Sequence, residues 1–337
     1  MIPSNSTVEQ NGTLHTAIPM QNAVACVLLG LACLVGVPGN LVVIKIILCN
    51  IKQRSSTIVI ILSLAVADFV VLVTLPFWIY FLADAWIFGI LLWKLTFYLI
   101  FTSMYASVFL ITVMSVERLL GVLYPYMLQK WWKRARVSKV VICIWVSSFL
   151  LAIPTVTLEL KMDENGRPYQ RVYSSNQQEI GLLLLETMVG FIIPFATLCV
   201  SYICVSKRIK QMVFRTRNRP MKLIASIVIA FVVCWFPYHT GNIVKTFSLL
   251  VRNSNSKLSK ELDKVYQTMN DAAGALAFIS SCINPILYAF ATRSFKNGFK
   301  TSNFAKVFEQ MNSFKEKQSK RMNDSDQQSE QINMLNR

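Results

Sequence analysis

The sequence is poor in charge, in acidic residues and in histidine. Only 15% of its 337 residues are charged, and 17 Asp and Glu stand against 34 Lys and Arg. An intramembrane enzyme needs a nucleophile and a base that converge on one point. The only two histidines, His15 and His239, offer little material for such a pair. We therefore predict that the protein is not an enzyme.

Cysteine is missing from every segment that we place outside the membrane. All eight cysteines fall within apolar stretches or at their ends: Cys26, Cys33, Cys49, Cys143, Cys199, Cys204, Cys234 and Cys282. No extracellular disulfide framework can be built from them, and we predict no disulfide. Buried free thiols of this kind are expected to behave as small apolar side chains.

Long apolar runs are what the sequence has in abundance. Hydrophobic residues make up 54% of the chain, and nearly uncharged stretches of about 18 residues or more predict membrane-spanning helices. Such stretches lie near residues 23–48, 57–83, 94–117, 139–158, 180–205, 222–249 and 267–291. The predicted fold is an all-α membrane protein, a seven-transmembrane helix bundle that occupies residues 23–291.

The distribution of Lys and Arg predicts the orientation of this bundle. Most of them follow the first, third, fifth and seventh spans, so the positive-inside rule places the N-terminus outside and the C-terminus in the cytoplasm. Asn5 and Asn11 begin glycosylation acceptor sequences, which supports this orientation, whereas the acceptor at Asn323 should stay unmodified. We expect a multi-pass plasma-membrane protein whose basic inner face contacts anionic membrane lipids, and no nucleic acid.

The two ends of the chain are predicted to lie outside the bundle. Residues 1–22 form an extracellular glycosylated N-terminus. In residues 292–305, Phe295 and Phe299 are four apart with cations between them, which predicts a short amphipathic helix on the membrane surface. Residues 306–337 are polar and should form a disordered cytoplasmic tail.

Several spans carry polar groups where hydrocarbon makes them costly. Asn40 should find a partner on a neighbouring helix. Asp68 should face the bundle interior and bind a cation, carry a proton or accept hydrogen bonds. Glu117 and Arg118 lie side by side, and neighbours at i and i+1 do not face one another on a helix. The arginine is therefore expected to swing to another acceptor, which suggests a switch.

Proline is absent from the third span and present in the other six. Proline removes a backbone hydrogen bond and bends a helix, so the third helix should be the unbroken axis of the bundle. Asn165-Gly166, between the fourth and fifth spans, predicts a hairpin turn that could cover a pocket. In the fifth span, Glu186 is expected to face either a cavity or another helix.

Taken in order and spacing, these residues resemble the signature of rhodopsin-like G-protein-coupled receptors. The motifs are Asn40, Leu64 to Asp68, Glu117-Arg118, Trp145, Pro194, Tyr202, Cys234-Trp235-Phe236-Pro237 and Asn284-Pro285-Ile286-Leu287-Tyr288. The resemblance covers all seven spans. It implies an extracellular ligand and, as partners, a heterotrimeric G protein, arrestin and receptor kinases.

The same resemblance implies two sets of site residues. The first set binds a sodium ion, which acts as an allosteric modulator, and consists of Asp68, Ser107, Ser280 and Asn284. No other cofactor is implied. The second forms the activation switch: Glu117, Arg118, Tyr202, Trp235, Pro237, Asn284, Pro285 and Tyr288. In this family the arginine and the two tyrosines, Tyr202 and Tyr288, gate an inner cavity.

A finer resemblance is to lipid chemoattractant receptors of the leukotriene B4 type. It rests on residues 103–112, 186–195, 236–242 and 275–289. It implies an acidic dihydroxy fatty acid as ligand, an inhibitory-type G protein and chemotactic or inflammatory signalling. The implied pocket residues are Tyr105, Glu186, Tyr238, His239 and Asn242, with Lys94 and Lys245 as the nearest cations for the acid group.

Other interpretations stay open beside this one. A chemoattractant or other peptide receptor of the same family is the alternative. A secondary transporter would show paired halves, and the odd number of spans argues against it. A light sensor would need a lysine for a retinal Schiff base, and residues 270–290 contain none.

The sequence departs from the family pattern at several positions, and two of these departures lead to predictions. Trp93 stands where the family usually has a cysteine at the outer end of the third span, and the following external loop lacks the partner cysteine. Ligand binding should therefore be insensitive to mild reductant. Arg217 stands where many relatives carry an acid that pairs with the arginine of the switch, so we expect appreciable signalling without ligand.

Overall fold

The computed structural model describes residues 20–51, 56–211 and 219–291. Several predictions concern residues outside these ranges: glycosylation at Asn5 and Asn11, the role of Arg217, the amphipathic helix 292–305 and the tail 306–337.

The described chain is almost entirely helical. Its helices are α1 (Met20–Asn50), α2 (Ser56–Leu72), α3 (Leu75–Ala83), α4 (Gly89–Leu123), α5 (Pro125–Trp131), α6 (Arg134–Ala152), α7 (Pro154–Thr157), α8 (Asn176–Thr187), α9 (Ile193–Gln211), α10 (Arg219–Val251) and α11 (Ser256–Ala291). A π-helical turn, Met188–Ile192, joins α8 to α9. Strands β1 (Glu159–Met162) and β2 (Pro168–Val172) pair between α7 and α8.

Among the described residues, five helical segments are long and apolar enough to cross a membrane. They are Asn22–Asn50, Ser56–Ala83, Gly89–Leu123, Arg134–Thr157 and Asn176–Arg208, and they correspond to the first five predicted spans. The sixth and seventh predicted spans fall within α10 and α11, which are 33 and 36 residues long. For these two helices, crossing of the membrane stays a prediction.

Some helix boundaries differ from the predicted spans. The second span is interrupted at Val73 and Thr74 because Pro76, in the first turn of α3, cannot donate a helical hydrogen bond. The last helix begins at Ser256, well before residue 267. Its additional turns contain charged residues such as Lys260 and Asp263. The prediction used charge to end a span, and charge does not end a helix.

Helix α4 is the axis of the bundle, as predicted from its lack of proline. It is unbroken from Gly89 to Leu123 and contacts α2, α6, α7, α9 and α10. Polar side chains also link neighbouring helices. The Asn40 amide donates to the Ser281 carbonyl oxygen of α11 at 3.2 Å, which confirms that Asn40 finds a partner on another helix.

The hairpin predicted from Asn165-Gly166 is present. Gly166 adopts a φ of 70°, a conformation that glycine reaches without strain. The Asp163 carboxylate accepts hydrogen bonds from the backbone N–H groups of Arg167 and Asn165, at 2.7 and 3.0 Å. These bonds lower the pKa of Asp163. In the antiparallel register Leu160 lies opposite Arg171, a pairing that becomes important at the site.

Candidate functional site

One cavity of about 140 Å³ runs through the core of the helix bundle. Near the hairpin it is lined by Arg171 and by aromatic rings of α4. Trp235 lines it deeper in the bundle, and Asp68 lines it with Asn284. The cavity therefore joins the hairpin to the polar group that the sequence singled out in the second span. This continuity could not be predicted from the spacing of motifs.

Arg171, on strand β2, is the cation of this cavity. Its guanidinium lies 4.6 Å from the ring centroid of Phe97 and 5.3 Å from that of Phe101. Burial opposes the charged form, but Tyr173, Tyr238 and other neighbours outweigh it and hold the pKa of Arg171 above its ordinary value. No carboxylate among the described side chains lies within 4 Å of it. The Arg171 guanidinium thus faces the cavity and packs on the faces of two aromatic rings.

Polar side chains of α8 and α10 form a second part of the site. The Tyr238 hydroxyl donates to Glu186 Oε1 at 2.6 Å. His239 is 1% exposed, and neither of its ring nitrogens has a hydrogen-bond partner in the described part of the chain. The same holds for Thr187 Oγ1, whereas Asn242 Nδ2 forms no hydrogen bond within 3.5 Å but lies close to the Glu186 carboxylate. Buried polar atoms without partners are uncommon, so they mark a place where a ligand or water would be bound.

The remaining predicted pocket residues divide into two groups. Tyr105 is buried in α4, and its ring stacks on that of Phe109 at 6.2 Å. Tyr105 and the two lysines do not line the cavity, and neither do Glu186, His239 and Asn242; of the predicted pocket residues, Tyr238 does. Lys94 donates to the Val156 carbonyl oxygen at 2.8 Å, and Lys245 pairs with Asp263 at 3.0 Å.

The structure therefore favours a different cation from the two that were predicted. Lys245 is also 3.9 Å from Glu179, so its charge is already balanced by two carboxylates. Arg171 was not among the predicted pocket residues because it lies in the hairpin, between the fourth and fifth predicted spans. The signal was present in the hairpin, where alternate residues of a strand share one face.

Asp68 is buried and contacts two of the three residues that were predicted to bind sodium with it. Asn284 donates to Asp68 at 2.7 Å, and the Ser107 hydroxyl lies 3.4 Å from it. Ser281 is the serine of α11 within hydrogen-bonding reach of the carboxylate, while Ser280 lines the same cavity. A buried carboxylate with serine hydroxyls beside it offers the oxygen ligands that hard cations prefer, while the Asn284 amide presents its N–H to the carboxylate.

At the other end of α4, Thr57 lies between Glu117 and Arg118. Its hydroxyl donates to both carboxylate oxygens of Glu117 at 3.1 Å. The same oxygen accepts a hydrogen bond from Arg118 Nη2 at 3.4 Å. Arg118 Nε is buried and has no partner among the described residues. Thr57 is a component of the predicted switch that the sequence did not reveal.

The other switch residues are placed as follows. Trp235 lines the cavity, and its ring packs edge-on against Tyr238 at 6.0 Å. Pro237 and Pro285 lie inside α10 and α11. Tyr202 is 57% exposed and makes no hydrogen bond to Arg118, so the structure does not bring these two residues together. Tyr288 lies on α11, in the part whose side chains are not described.

Comparison with known proteins agrees with this architecture. The family described as 7 transmembrane receptor (rhodopsin family) matches residues 39–288. Over 272 residues the chain is 36% identical to leukotriene B4 receptor 1 of Homo sapiens, which covers 79% of this chain and 76% of that receptor.

Two further relatives have a similar extent. Leukotriene B4 receptor 1 of Rattus norvegicus is 38% identical over 268 residues, which is 79% of this chain and 75% of the relative. Chemerin-like receptor 2 of Mus musculus is 31% identical over 285 residues, which is 82% of this chain and 77% of the relative. The chain therefore belongs to the rhodopsin family of seven-transmembrane, G-protein-coupled receptors.

Proposed function

We propose that this receptor binds an acidic, hydroxylated fatty acid of the leukotriene B4 type at the cell surface and activates an inhibitory-type G protein. The observation that carries the proposal is Arg171, a cation that faces a cavity with aromatic and aliphatic walls near the hairpin and a polar end at Asp68. A carboxylate would bind the planar guanidinium through two parallel hydrogen bonds. The acyl chain would extend along the aromatic and aliphatic wall.

The hydroxyl groups of such a lipid have partners in the same region. Tyr238 lines the cavity and is hydrogen-bonded to Glu186. His239 and Asn242 follow on α10 but do not line the cavity, and the His239 ring nitrogens are buried without partners in the described chain. A hydroxyl group of the lipid would bind at Tyr238, beside the Glu186 carboxylate. The names of the two leukotriene B4 receptors among the relatives support the same ligand class.

The signalling step follows from the position of Trp235 between the two ends of the cavity. A ligand that packs on Trp235 favours the conformer in which α10 pivots at Pro237 and its cytoplasmic end moves outward. Arg118 then leaves Thr57 and Glu117, and a groove opens for an amphipathic helix of the G protein. The ligand shifts this equilibrium only by its difference in affinity for the two conformers.

We propose that Asp68, Ser107 and Asn284 hold a sodium ion that favours the closed conformer. The positive ion would balance the negative charge of the buried Asp68 carboxylate. By linkage, sodium and agonist would weaken each other by the same factor.

The test uses cells that express the receptor and a reporter of cyclic AMP. Leukotriene B4, its methyl ester, related fatty acids and chemoattractant peptides are compared on the wild type, Arg171→Gln and Arg118→Ala. We expect inhibition of cyclic AMP by the acid, a rightward shift of about tenfold or more with Arg171→Gln, and no signal with Arg118→Ala.

Two results would overturn the proposal. One is a response to peptides and not to any acidic lipid, which would favour the peptide-receptor interpretation. The other is an equal potency of acid and methyl ester on the wild type, because the ester cannot form a charged pair with Arg171.

A further inference from the structure

The hairpin that carries Arg171 is held on the bundle without a covalent link. All eight cysteines are free and lie in helices, and residues 159–172 contain none. Leu160 and Arg171 are cross-strand partners, so their side chains lie on the same face of the hairpin. Leu160 packs against a buried hydrophobic cluster that includes several aromatic residues, and Arg171 lies over Phe97, which packs against the same cluster. Both contacts therefore converge on one hydrophobic cluster.

We name the aromatic surface of this cluster the aromatic clamp; it consists of Trp78, Phe81, Trp86, Trp93 and Phe97. Its first four members are at most 2% exposed. Phe97 packs edge-on against Trp78 at 4.8 Å and lies 5.2 Å from Trp93. Trp93 is in turn 5.1 Å from both Phe81 and Trp86. The ring beneath the Arg171 guanidinium is thus fixed from several sides.

Trp93 contacts Phe97 but lies outside the cavity. It lies four residues before Phe97 on α4, which puts the two rings on the same helix face. Phe97 lines the cavity, but Trp93 does not. Trp93 is also not in cation–π contact with Arg171. Trp93 can therefore influence a ligand in the cavity through Phe97, or through Trp78, which also lines the cavity and whose ring lies 5.7 Å from that of Trp93.

A long arginine side chain has many rotamers, and ordering it on ligand binding costs conformational entropy. An aromatic face under the guanidinium restricts those rotamers and leaves the edge of the fork free for a carboxylate. We propose that the aromatic clamp positions Arg171 for an anionic ligand, and that Trp93 is a positioning residue that keeps Phe97 beneath the guanidinium. This inference rests on the proposed function, in which Arg171 binds the carboxylate.

The clamp also explains how the hairpin can keep its place without a disulfide. Aromatic packing supplies the attachment, and the attachment point is the functional cation itself. A chain that fixed the same hairpin covalently would not need Phe97 to be held in this way. Specificity for an acid and attachment of the hairpin are therefore coupled in this receptor.

The test is a double-mutant cycle read by ligand competition on purified membranes. Labelled leukotriene B4 is displaced by the unlabelled acid or its methyl ester. The receptors are the wild type, Trp93→Leu, Trp93→Phe and Arg171→Gln, and the double variant of Trp93→Leu with Arg171→Gln. We expect Trp93→Leu to weaken the acid about tenfold or more and the ester less than about twofold. Trp93→Phe should retain most of the affinity for the acid.

The decisive arm is the Arg171→Gln background, where Trp93→Leu should have no further effect on either ligand. Equal losses for acid and ester in both backgrounds would overturn the inference, because they would show a structural role alone. No loss for either ligand would overturn it as well. Phe81→Leu, which removes a ring 5.1 Å from Trp93 and does not touch the cavity, gives a second variant with the same expected pattern if Trp93→Leu does not reach the membrane.

Failure of the inference can be told apart from failure of the proposed function. If Arg171→Gln does not discriminate between acid and ester, the proposed carboxylate site is wrong. If Arg171→Gln discriminates and Trp93→Leu does not, the site is right and the clamp does not position it.

Discussion

Removing the hydroxyl of Thr57 should raise signalling without ligand. Thr57 is 1% exposed, donates to Glu117 and accepts from Arg118, so its hydroxyl joins the two charged groups of the switch. Thr57→Val keeps the shape of the side chain and removes these hydrogen bonds. Hydrogen bonds to charged groups contribute about 1.5–3 kcal/mol each. If they exist only in the closed conformer, their loss shifts the equilibrium toward the active one.

The size of the shift follows from that range. About 1.4 kcal/mol corresponds to a factor of ten, so basal activity should rise about tenfold or more while the active conformer stays a minority. The measurement is ligand-free exchange of a labelled GTP analogue on G protein, divided by the number of receptors at the surface. Thr57→Ser, which keeps the hydroxyl, should behave as the wild type.

Thr112→Val is the matched control for this experiment. Thr112 lies on the same helix as Arg118, but its hydroxyl bonds only to the Val108 carbonyl oxygen at 2.8 Å. It should leave basal activity unchanged. Basal exchange of Thr57→Val equal to that of the wild type would refute the reasoning, since Thr57 would then stabilise both conformers equally.

Four further predictions follow from the site and the sequence. Lys245→Met should weaken the acid no more than its methyl ester, because Lys245 is already paired with Asp263 and Glu179; a selective loss for the acid would move the carboxylate site to Lys245. Replacing sodium with a large organic cation should raise agonist affinity in the wild type and not in Asp68→Asn, and equal affinity in both buffers would remove the sodium site. Mild reductant should leave ligand binding unchanged, since the described cysteines are free and none lies in the hairpin, so abolished binding would contradict the clamp as the attachment. Glycosidase treatment should shift the wild type but not a variant with Asn5→Gln and Asn11→Gln, and sugar on Asn323 would invert the predicted orientation.

Much of the fold follows from the sequence because its signals are local. Apolar runs predicted the first five spans, which the structure matches within a few residues at most ends. Asn165-Gly166 predicted the hairpin because this dipeptide reaches the backbone conformation that the turn requires. Charged turns at the start of α11 were missed, since helix formation outside the hydrocarbon does not need an apolar sequence.

The site could be predicted only in part, because its other components depend on contacts between distant segments. Asp68 and Asn284 were expected together and do form a hydrogen bond. Arg171 and Thr57 were not predicted, since neither belongs to a motif and each acquires its role only from what packs against it. The π-helical turn at Met188–Ile192 has no sequence signal that we recognise.

The most direct test of the account is an experimental structure of the purified receptor with leukotriene B4 bound. We predict that the carboxylate lies about 2.8 Å from the Arg171 guanidinium, with the acyl chain in the cavity above Trp235. A carboxylate bound instead to Lys94 or Lys245, or a lipid bound outside the cavity, would contradict the account.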